Sequence, residues 1–194
     1  IGIIKSDILI KGNDFQSIKN AINADIDSAV TIIKNKLKNV SPNGVLINDS
    51  KYAEIDCIEI DGAEECGISI SSTNKCVIKN SIIKNCGESS IEIYNNSDAT
   101  IKNNKISNIA KFGLAAFTGG IIVAEQNQID NIGESMVKLF YKGGGTFIDN
   151  NVSNCPKQST FNNPSIFLFA KNGIFPSITN DQSCVKDSII FEEL

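Results

Sequence analysis

The sequence predicts an all-β fold: a solenoid of about seven coils, each of 22–23 residues, whose short strands run parallel to those of neighbouring coils. Three observations predict it. Aliphatic residues recur every 23 positions, apolar and polar residues alternate within each copy, and Asn, Gly and Ser separate the strands. One copy cannot bury its inward side chains alone, so the copies must stack and share one core.

The 23-residue repeat is apolar in four registers, which begin at Ile32, Leu37, Val40 and Val45. The clearest register consists of Leu37, Ile60, Ile83, Ile106, Ile129 and Val152. Alternation such as Ile91-Glu92-Ile93 has the two-residue period of a strand. The four registers together therefore indicate a repeat whose stacked copies bury a continuous apolar column.

The first 28 residues admit two interpretations. Residues 10–18 align with residues 101–109, which predicts one more coil that begins in mid-coil and was cut from a longer solenoid. The alternative is an amphipathic helix that covers the first coil with Phe15, Ile18 and Ile22. We favour the coil.

At the other end the period breaks after Cys155. Residues 156–164 form an excursion, a strand resumes near residues 165–169, and residues 171–194 keep no period. This predicts two parts, a solenoid over residues 1–170 and an irregular cap over residues 171–194 that covers the open end of the core.

One register holds asparagine instead of aliphatic residues. Its members are Asn39, Asn85, Asn108, Asn131 and Asn154, and Gly62 interrupts it. Asparagine amides stacked at one turn can bond up and down a ladder. We expect this register to form an internal ladder.

The pattern G-I-x-I … x-I-x-N-N-x-I-x-N, seen at Gly67–Asn85 and Ser90–Asn108, resembles the parallel β-helix repeat of the pectin lyase-like superfamily. The resemblance covers about residues 1–155 and implies a right-handed parallel β-helix. It is specific for fold and not for function, since the superfamily includes polysaccharide lyases and hydrolases, epimerases, phage tailspikes, adhesins and non-catalytic modules. The chain is therefore expected to be a recognition or scaffold module, a polysaccharide lyase or glycoside hydrolase, or a structural shaft.

An aromatic column is the first candidate site. The outward position after the Gly-Ile-x-Ile strand carries Tyr94, Phe117 and Phe140 in three successive coils, with Tyr141 and Phe169 nearby. Such a column can stack on sugar rings or contact a protein partner. Alternatively, the C-terminal segment covers it with Ile190 and Phe191. We predict a glycan-binding or protein-binding face here.

Catalysis has only weak candidates. Glu92 and Lys138 occupy the neighbouring outward column, two coils apart. A lyase needs a base and a cation near the substrate carboxylate, whereas glycoside hydrolysis commonly needs two carboxyl groups about 5–9.5 Å apart. The chain has no Arg and no His, and Glu92 faces no second acid in its column. These absences favour a non-catalytic module.

The charged residues indicate salt bridges between coils more strongly than a catalytic or metal site. The register places Asp56 beside Lys79, and Asp61 between Lys38 and Lys84, which predicts salt bridges between coils. The candidates for a calcium site are Glu64, Glu65 and Glu88, at one turn in adjacent coils. The glycine-rich turns at residues 118–120 and 142–145 predict tight corners, because no phosphate-binding motif accompanies them.

Composition excludes several classes. With a net charge of −4 and a pI near 4.9, a nucleic-acid footprint is not expected. No apolar run approaches the roughly 18–20 residues of a membrane-spanning helix. The six cysteines include no CxxC pair and there is no His. We therefore expect free thiols in or near the core in preference to a disulfide framework, and no zinc site.

Overall fold

The computed structural model describes residues 2–4, 7–25, 27, 29–155, 160–162, 167–170 and 189–192, and the strands in these ranges form three parallel sheets. Sheet A contains β1 (Gly2–Ile4), β4 (Ile22–Asp25), β7 (Val45–Asn48), β10 (Ile68–Ser71), β13 (Ser89–Tyr94), β16 (Phe112–Phe117), β19 (Ser135–Phe140) and β22 (Thr160–Asn162). Sheet B contains β2 (Ile8–Lys11), β5 (Ala29–Ile33), β8 (Tyr52–Asp56), β11 (Cys76–Lys79), β14 (Asp98–Lys102), β17 (Ile121–Glu125), β20 (Gly144–Ile148), β23 (Phe167–Ala170) and β24 (Ile189–Glu192). Sheet C contains β3 (Asp14–Gln16), β6 (Lys36–Val40), β9 (Glu59–Ala63), β12 (Ile82–Cys86), β15 (Lys105–Ile109), β18 (Gln128–Ile132) and β21 (Asn151–Ser153).

The chain runs from sheet A to B to C in each coil and then starts the next coil. This is an all-β parallel solenoid of about six turns, close to the predicted seven, and its described residues include no helix. None of those residues therefore belongs to a helix that could cross a membrane.

The strand pairing confirms the predicted register. Ile83 pairs with Ile60 on one side and with Ile106 on the other. Ile78 pairs with Ile55 and Ile101 in sheet B, and all three are fully buried. Like residues thus lie about one strand spacing, ~4.8 Å, above like residues, and the aliphatic columns form one continuous core.

The N-terminal residues form a coil, as predicted. Strands β1, β2 and β3 pair in parallel with β4, β5 and β6, and Phe15 lies in register with Leu37. The alternative of a capping helix is wrong, because the backbone groups of this segment bond to the next coil.

The predicted asparagine ladder exists but lies outside the core. Asn131 donates to Oδ1 of Asn108 (2.8 Å), and Asn108 donates to Oδ1 of Asn85 (3.2 Å), yet all three side chains are exposed. Their φ angles of 52–58° turn the side chains outward at the end of each sheet C strand. The expectation of an internal ladder for this register is therefore wrong.

The internal ladder runs through a different register, at the corner between sheets B and C. Its buried members are Asn35, Asn104, Asn127 and Asn150. Asn104 donates to Asn127 and Asn127 donates to Asn150, while each also bonds a main-chain carbonyl of the preceding coil. Ile58 and Ser81 occupy this register in the intervening coils, and Ser81 Oγ accepts the Ile58 amide.

The glycine-rich turns are tight corners, as predicted. Gly119 has a φ of +79°, and a Cβ there would approach Oδ1 of Asn96 to 2.3 Å. A Cβ on Gly143 would meet the carbonyl oxygen of Ala116 at 2.3 Å. Glycine is required at both positions because adjacent coils approach too closely for a side chain.

The C-terminal residues continue the stack further than predicted. Strand β24 pairs in parallel with β23, with Phe169 opposite Phe191, so residues 189–192 of the expected cap form another strand of sheet B. The other residues of the expected cap, 171–188 and 193–194, lie outside the described residues, as do 156–159 and 163–164 of the expected excursion and 165–166 of the strand expected after it.

The cysteines match the expectation of free thiols in or near the core. Cys66, Cys76 and Cys86 are buried, Cys155 is half-buried, and Cys57 is exposed. All five are free thiols, and Cys184 lies outside the described residues. Burial raises the pKa of the Cys86 thiol to about 11, so this thiol is protonated and unreactive at neutral pH.

Candidate functional site

The outer edge of sheet A carries the predicted aromatic column. We use the name aromatic strip for Tyr94, Phe117, Phe140 and Tyr141. The ring centroids of Tyr94 and Phe117 are 5.3 Å apart, and those of Phe117 and Phe140 are 6.4 Å apart. The first three side chains are half-buried, whereas Tyr141 is 66% exposed. The coil repeat thus brings four aromatic side chains into one contiguous patch.

The rings of the strip use much of their faces on one another. Tyr94 and Phe117 stack with an interplanar angle of 18°, so each covers a face of the other along the solenoid axis. Phe140 meets Tyr141 edge to face at 4.0 Å. Sugar stacking requires free ring faces, whereas an apolar partner surface can also pack on ring edges. The geometry therefore suits a protein surface better than a row of sugar rings.

The last two strands, β23 and β24, belong to a different sheet from the strip, whereas β22 extends sheet A with Asn162 opposite Phe140. Phe169 belongs to β23 and pairs with Phe147 in sheet B, so the expectation that it lies near the column is wrong. Residues Ile190 and Phe191 belong to β24, also in sheet B, because their backbones extend that sheet. Residues 171–188 of the C-terminal segment lie outside the described residues, so the alternative in which that segment covers the strip stays a prediction.

The column beside the strip is buried, although its positions alternate outward. Ser69, Glu92 and Ala115 of this column are nevertheless buried. Ser89 donates a hydrogen bond to Glu92 (2.6 Å), and Phe112 contacts the Lys138 side chain of the next coil. The expectation that Glu92 is an outward surface group is therefore wrong: its column is covered.

The Lys138 side chain lies beside the rings of Phe112 and Phe140. Its Nζ lies 4.2 Å from the centroid of the Phe112 ring and 5.9 Å from that of Phe140. Such cation–π contacts are attractive and hold the ammonium group at the surface beside the strip. The ammonium group of Lys138 therefore lies close to two aromatic rings, and one of them, Phe140, belongs to the strip.

Glu92 is a buried carboxyl group whose pKa is raised above the ordinary glutamate value. It is only 6% exposed, and this burial raises its pKa; the nearby charges of Glu88 and Glu65 act in the same direction, against the hydrogen bonds from Ser89 and Cys66. A general acid has this property, but the site is not open to a substrate. A catalytic role for Glu92 and Lys138 stays a prediction.

The calcium candidates are engaged in other contacts. Glu64 accepts a hydrogen bond from the Ser41 hydroxyl, and Glu88 forms a salt bridge with Lys111. Glu65 contributes its main-chain carbonyl to the amide of Glu88 (2.9 Å). Over the described residues, no three His, Cys, Asp or Glu side chains converge on one point. A calcium site at Glu64, Glu65 and Glu88 stays a prediction.

The acidic cluster forms salt bridges between coils, as predicted. Lys79 lies 2.8 Å from Glu54 and 3.9 Å from Asp56, and Lys84 lies 3.2 Å from Asp61. Lys38 lies opposite Asp61 in the sheet. These pairs are partly exposed to solvent, so each contributes little to stability.

Sheet B carries a shallow depression of about 530 Å³ on its outer face. It is lined by Asn74, Lys75, Cys76, Asp98, Ala99, Thr100, Ile121 and Val123. It lies on a different sheet from the aromatic strip, so it does not extend that patch.

Sequence reasoning missed a buried register at or just before the start of the sheet A strands, from which Ser89 donates to Glu92. Its members are Cys66, Ser89, Phe112 and Ser135, which recur at 23-residue intervals and are all buried. The 23-residue recurrence was the one signal in the sequence that these residues stack on one another. Burial of this register was not visible in the interval, because serine is ordinarily exposed.

Comparison with known proteins identifies one match. A family model described as "Right handed beta helix region" matches residues 20–182. No curated protein and no solved structure matches the chain.

Proposed function

The chain belongs to the right-handed β-helix family, and from that premise we propose that it is a non-catalytic recognition module that binds a protein partner along the aromatic strip. The observation that carries the proposal is the contiguous patch of four aromatic side chains on successive coils. Aromatic residues are enriched at protein interfaces, where their large apolar area supplies binding energy. Stacking of the coils requires apolar side chains only in the core, so it does not explain aromatic side chains on the outer face.

The ring geometry supports a protein partner over a glycan. Tyr94 and Phe117 each lose a face to the other, and the exposed edges and Tyr141 remain. A glycan that stacks on Tyr141 is the second candidate, because that side chain is the most exposed of the strip.

The positive charge beside the strip favours a partner that carries negatively charged groups. The Lys138 ammonium is held over two rings at one side of the strip, and the exposed Lys142 follows Tyr141 directly. A partner that presents carboxylates beside apolar side chains fits this arrangement. Steering by these lysines also makes the association rate dependent on salt.

The alternatives within the family have less support. An enzyme that cleaves a polysaccharide by paired acids needs an open site, whereas Glu92 is buried and hydrogen-bonded to Ser89. A uniform structural shaft has no need of an aromatic patch confined to three coils.

The test is selection of binding peptides from a library of random linear peptides displayed on phage, with a glycan array probed in parallel. The protein is compared with a Phe117→Ala, Phe140→Ala variant and with a Val77→Ala, Val123→Ala control on the outer face of sheet B. We expect acidic peptides with apolar residues to be enriched, and their affinity to fall at least about tenfold in the aromatic variant only.

The other outcomes are informative too. Glycan binding that depends on Phe117 and Phe140 replaces the protein partner with a sugar. Peptides that bind all three proteins equally place recognition elsewhere. Failure of the wild-type protein to bind either library favours the structural shaft.

A further inference from the structure

The backbone beneath the aromatic strip has no free edge. Tyr94, Phe117 and Phe140 are the last residues of β13, β16 and β19, and each of these strands is paired with a neighbour on both sides within sheet A. An extended partner segment gains affinity mainly through main-chain hydrogen bonds at an open sheet edge. A partner of the strip must therefore satisfy its own backbone groups, as an α-helix does.

The repeat of the strip matches the turns of an α-helix. Neighbouring strands are ~4.8 Å apart, so the strip advances ~9.6 Å along the solenoid axis from Tyr94 to Phe140. Two helical turns advance about 10.8 Å, whereas two same-face steps of a strand advance about 13 Å. A helix laid along this axis therefore places one apolar side chain against each of the three rings.

The orientation of the rings favours aliphatic side chains over proline rings. A polyproline helix also needs no sheet edge, but it docks in grooves lined by aromatic residues. Tyr94 and Phe117 are stacked on each other with an interplanar angle of 18°, and Phe140 meets Tyr141 edge to face. Ring edges remain, and the branched aliphatic side chains of an amphipathic helix can pack on them.

The charged residues near the strip give such a helix a direction. Lys138 lies beside Phe140, and the exposed Lys142 follows Tyr141, so both ammonium groups belong to the last coil of the strip. Asp49 is exposed and lies two coils before Tyr94. A helix is partly negative at its C-terminus and partly positive at its N-terminus. Both ends of the strip thus favour a helix whose C-terminus lies beside the lysines.

We infer, resting on the function proposed above, that the partner presents an amphipathic α-helix, which lies along the solenoid axis with its apolar face on Tyr94, Phe117 and Phe140. Its C-terminal turn carries carboxylates and lies beside Lys138 and Lys142. The rings select the apolar period of the helix, and the lysines select its acidic end.

Three synthetic peptides test the helix on the wild-type protein, with affinities from fluorescence anisotropy. The first is a helix-forming peptide of about 18 residues with leucine at i, i+3, i+7 and i+10 and glutamate in its last turn. The second has the same composition with leucine at every second position. The third is the first peptide with proline at one central polar position, which breaks the helix and keeps every leucine and glutamate. We expect the first peptide to bind at least about tenfold more tightly than either of the others.

The site and the direction are measured with the first peptide. Phe117→Ala should weaken its binding at least about tenfold, whereas the Val77→Ala, Val123→Ala control on sheet B should bind it like the wild-type protein. A nitroxide label on the glutamate end of the peptide should broaden the amide signal of Lys142 more than that of Asp49. The same label on the other end should reverse this order.

The outcomes separate the helical partner from the proposed function. If the second or third peptide binds as tightly as the first, and needs Phe117 equally, the helix is wrong and the recognition module stands. The same holds if no synthetic peptide binds while the random library yields peptides that need Phe117. If neither the synthetic peptides nor the library binds, both are wrong. Equal broadening from the two labelled ends contradicts the direction of the helix.

Discussion

Asn127 donates a hydrogen bond from its Nδ2 atom to Oδ1 of Asn150, 2.8 Å away in the next coil. The same Nδ2 also bonds the carbonyl of Ile101, and the Asn127 Oδ1 accepts from Asn104. One buried amide therefore satisfies polar groups in three coils. Side chains that do this hold the coils in register, because any slip leaves several buried groups unpaired.

We expect Asn127→Ala to destabilise the fold by about 3 kcal/mol, since the Ile101 carbonyl and two Asn104 donor groups lose their partner at a buried site. The control is Asn108→Gly in the exposed ladder, where glycine accepts the φ of 56°. That variant should lose less than about 1 kcal/mol. Urea unfolding followed by circular dichroism measures the free energy of unfolding of both variants. Equal losses would mean that the buried ladder stabilises the fold no more than the exposed one.

The core register is tested by a charge. Ile106 is buried between Ile83 and Ile129, so Ile106→Asp should prevent cooperative folding, because a buried unpaired charge costs several kcal/mol. Ile82→Asp on the same sheet is the control, because Ile82 is 40% exposed and lies between Glu59 and Lys105. Circular dichroism and thermal melting should show an unfolded first variant and a folded second one. A folded Ile106→Asp protein would contradict the register.

A tight corner between coils gives a third prediction. A Cβ on Gly133 would lie 2.1 Å from the carbonyl oxygen of Ala110, which itself stands at the same position one coil earlier. Gly133→Ala must push two bonded coils apart, and we expect a loss of about 1–3 kcal/mol. Ala110→Gly, which removes a side chain at the equivalent position, should lose about 1 kcal/mol or less. The melting temperatures of the two variants measure these losses, and a Gly133→Ala protein that melts no lower than Ala110→Gly would contradict the prediction.

Stability should depend on pH in two opposite ways. Burial raises the pKa of Glu92, so its contribution to stability is complete below the ordinary glutamate pKa of about 4.3 and is lost as pH rises through the raised value. The hydrogen bond from Asn85 lowers the pKa of Asp61, so its contribution is complete above the ordinary aspartate pKa of about 3.9 and is lost as pH falls through the lowered value.

Urea unfolding between about pH 3 and pH 8 tests both directions. In Glu92→Gln the loss of stability with rising pH should be smaller than in the wild-type protein, and in Asp61→Asn the loss with falling pH should be smaller. Superimposable pH profiles for the three proteins would show that neither carboxyl group is linked to folding.

The sequence by itself determined the architecture. The 23-residue registers of Ile55, Ile78 and Ile101 and of Ile60, Ile83 and Ile106 appear in the structure as paired and buried columns. In a stacked solenoid the repeat length is also the step between neighbours, so contacts between coils can be derived from arithmetic. The salt bridges of Lys79 and Lys84 followed from the same arithmetic.

Only the tertiary structure decided which polar registers face inward. Two asparagine registers share the same period, and the one through Asn108 is exposed whereas the one through Asn127 is buried. Periodicity records which residues are stacked, but the φ angle at each corner sets the direction of the side chain. Burial of Glu92 likewise could not be derived from the repeat, because its alternating position on β13 predicts an outward side chain. The direction of a corner is set by how the whole coil closes, and no single copy of the repeat carries that information.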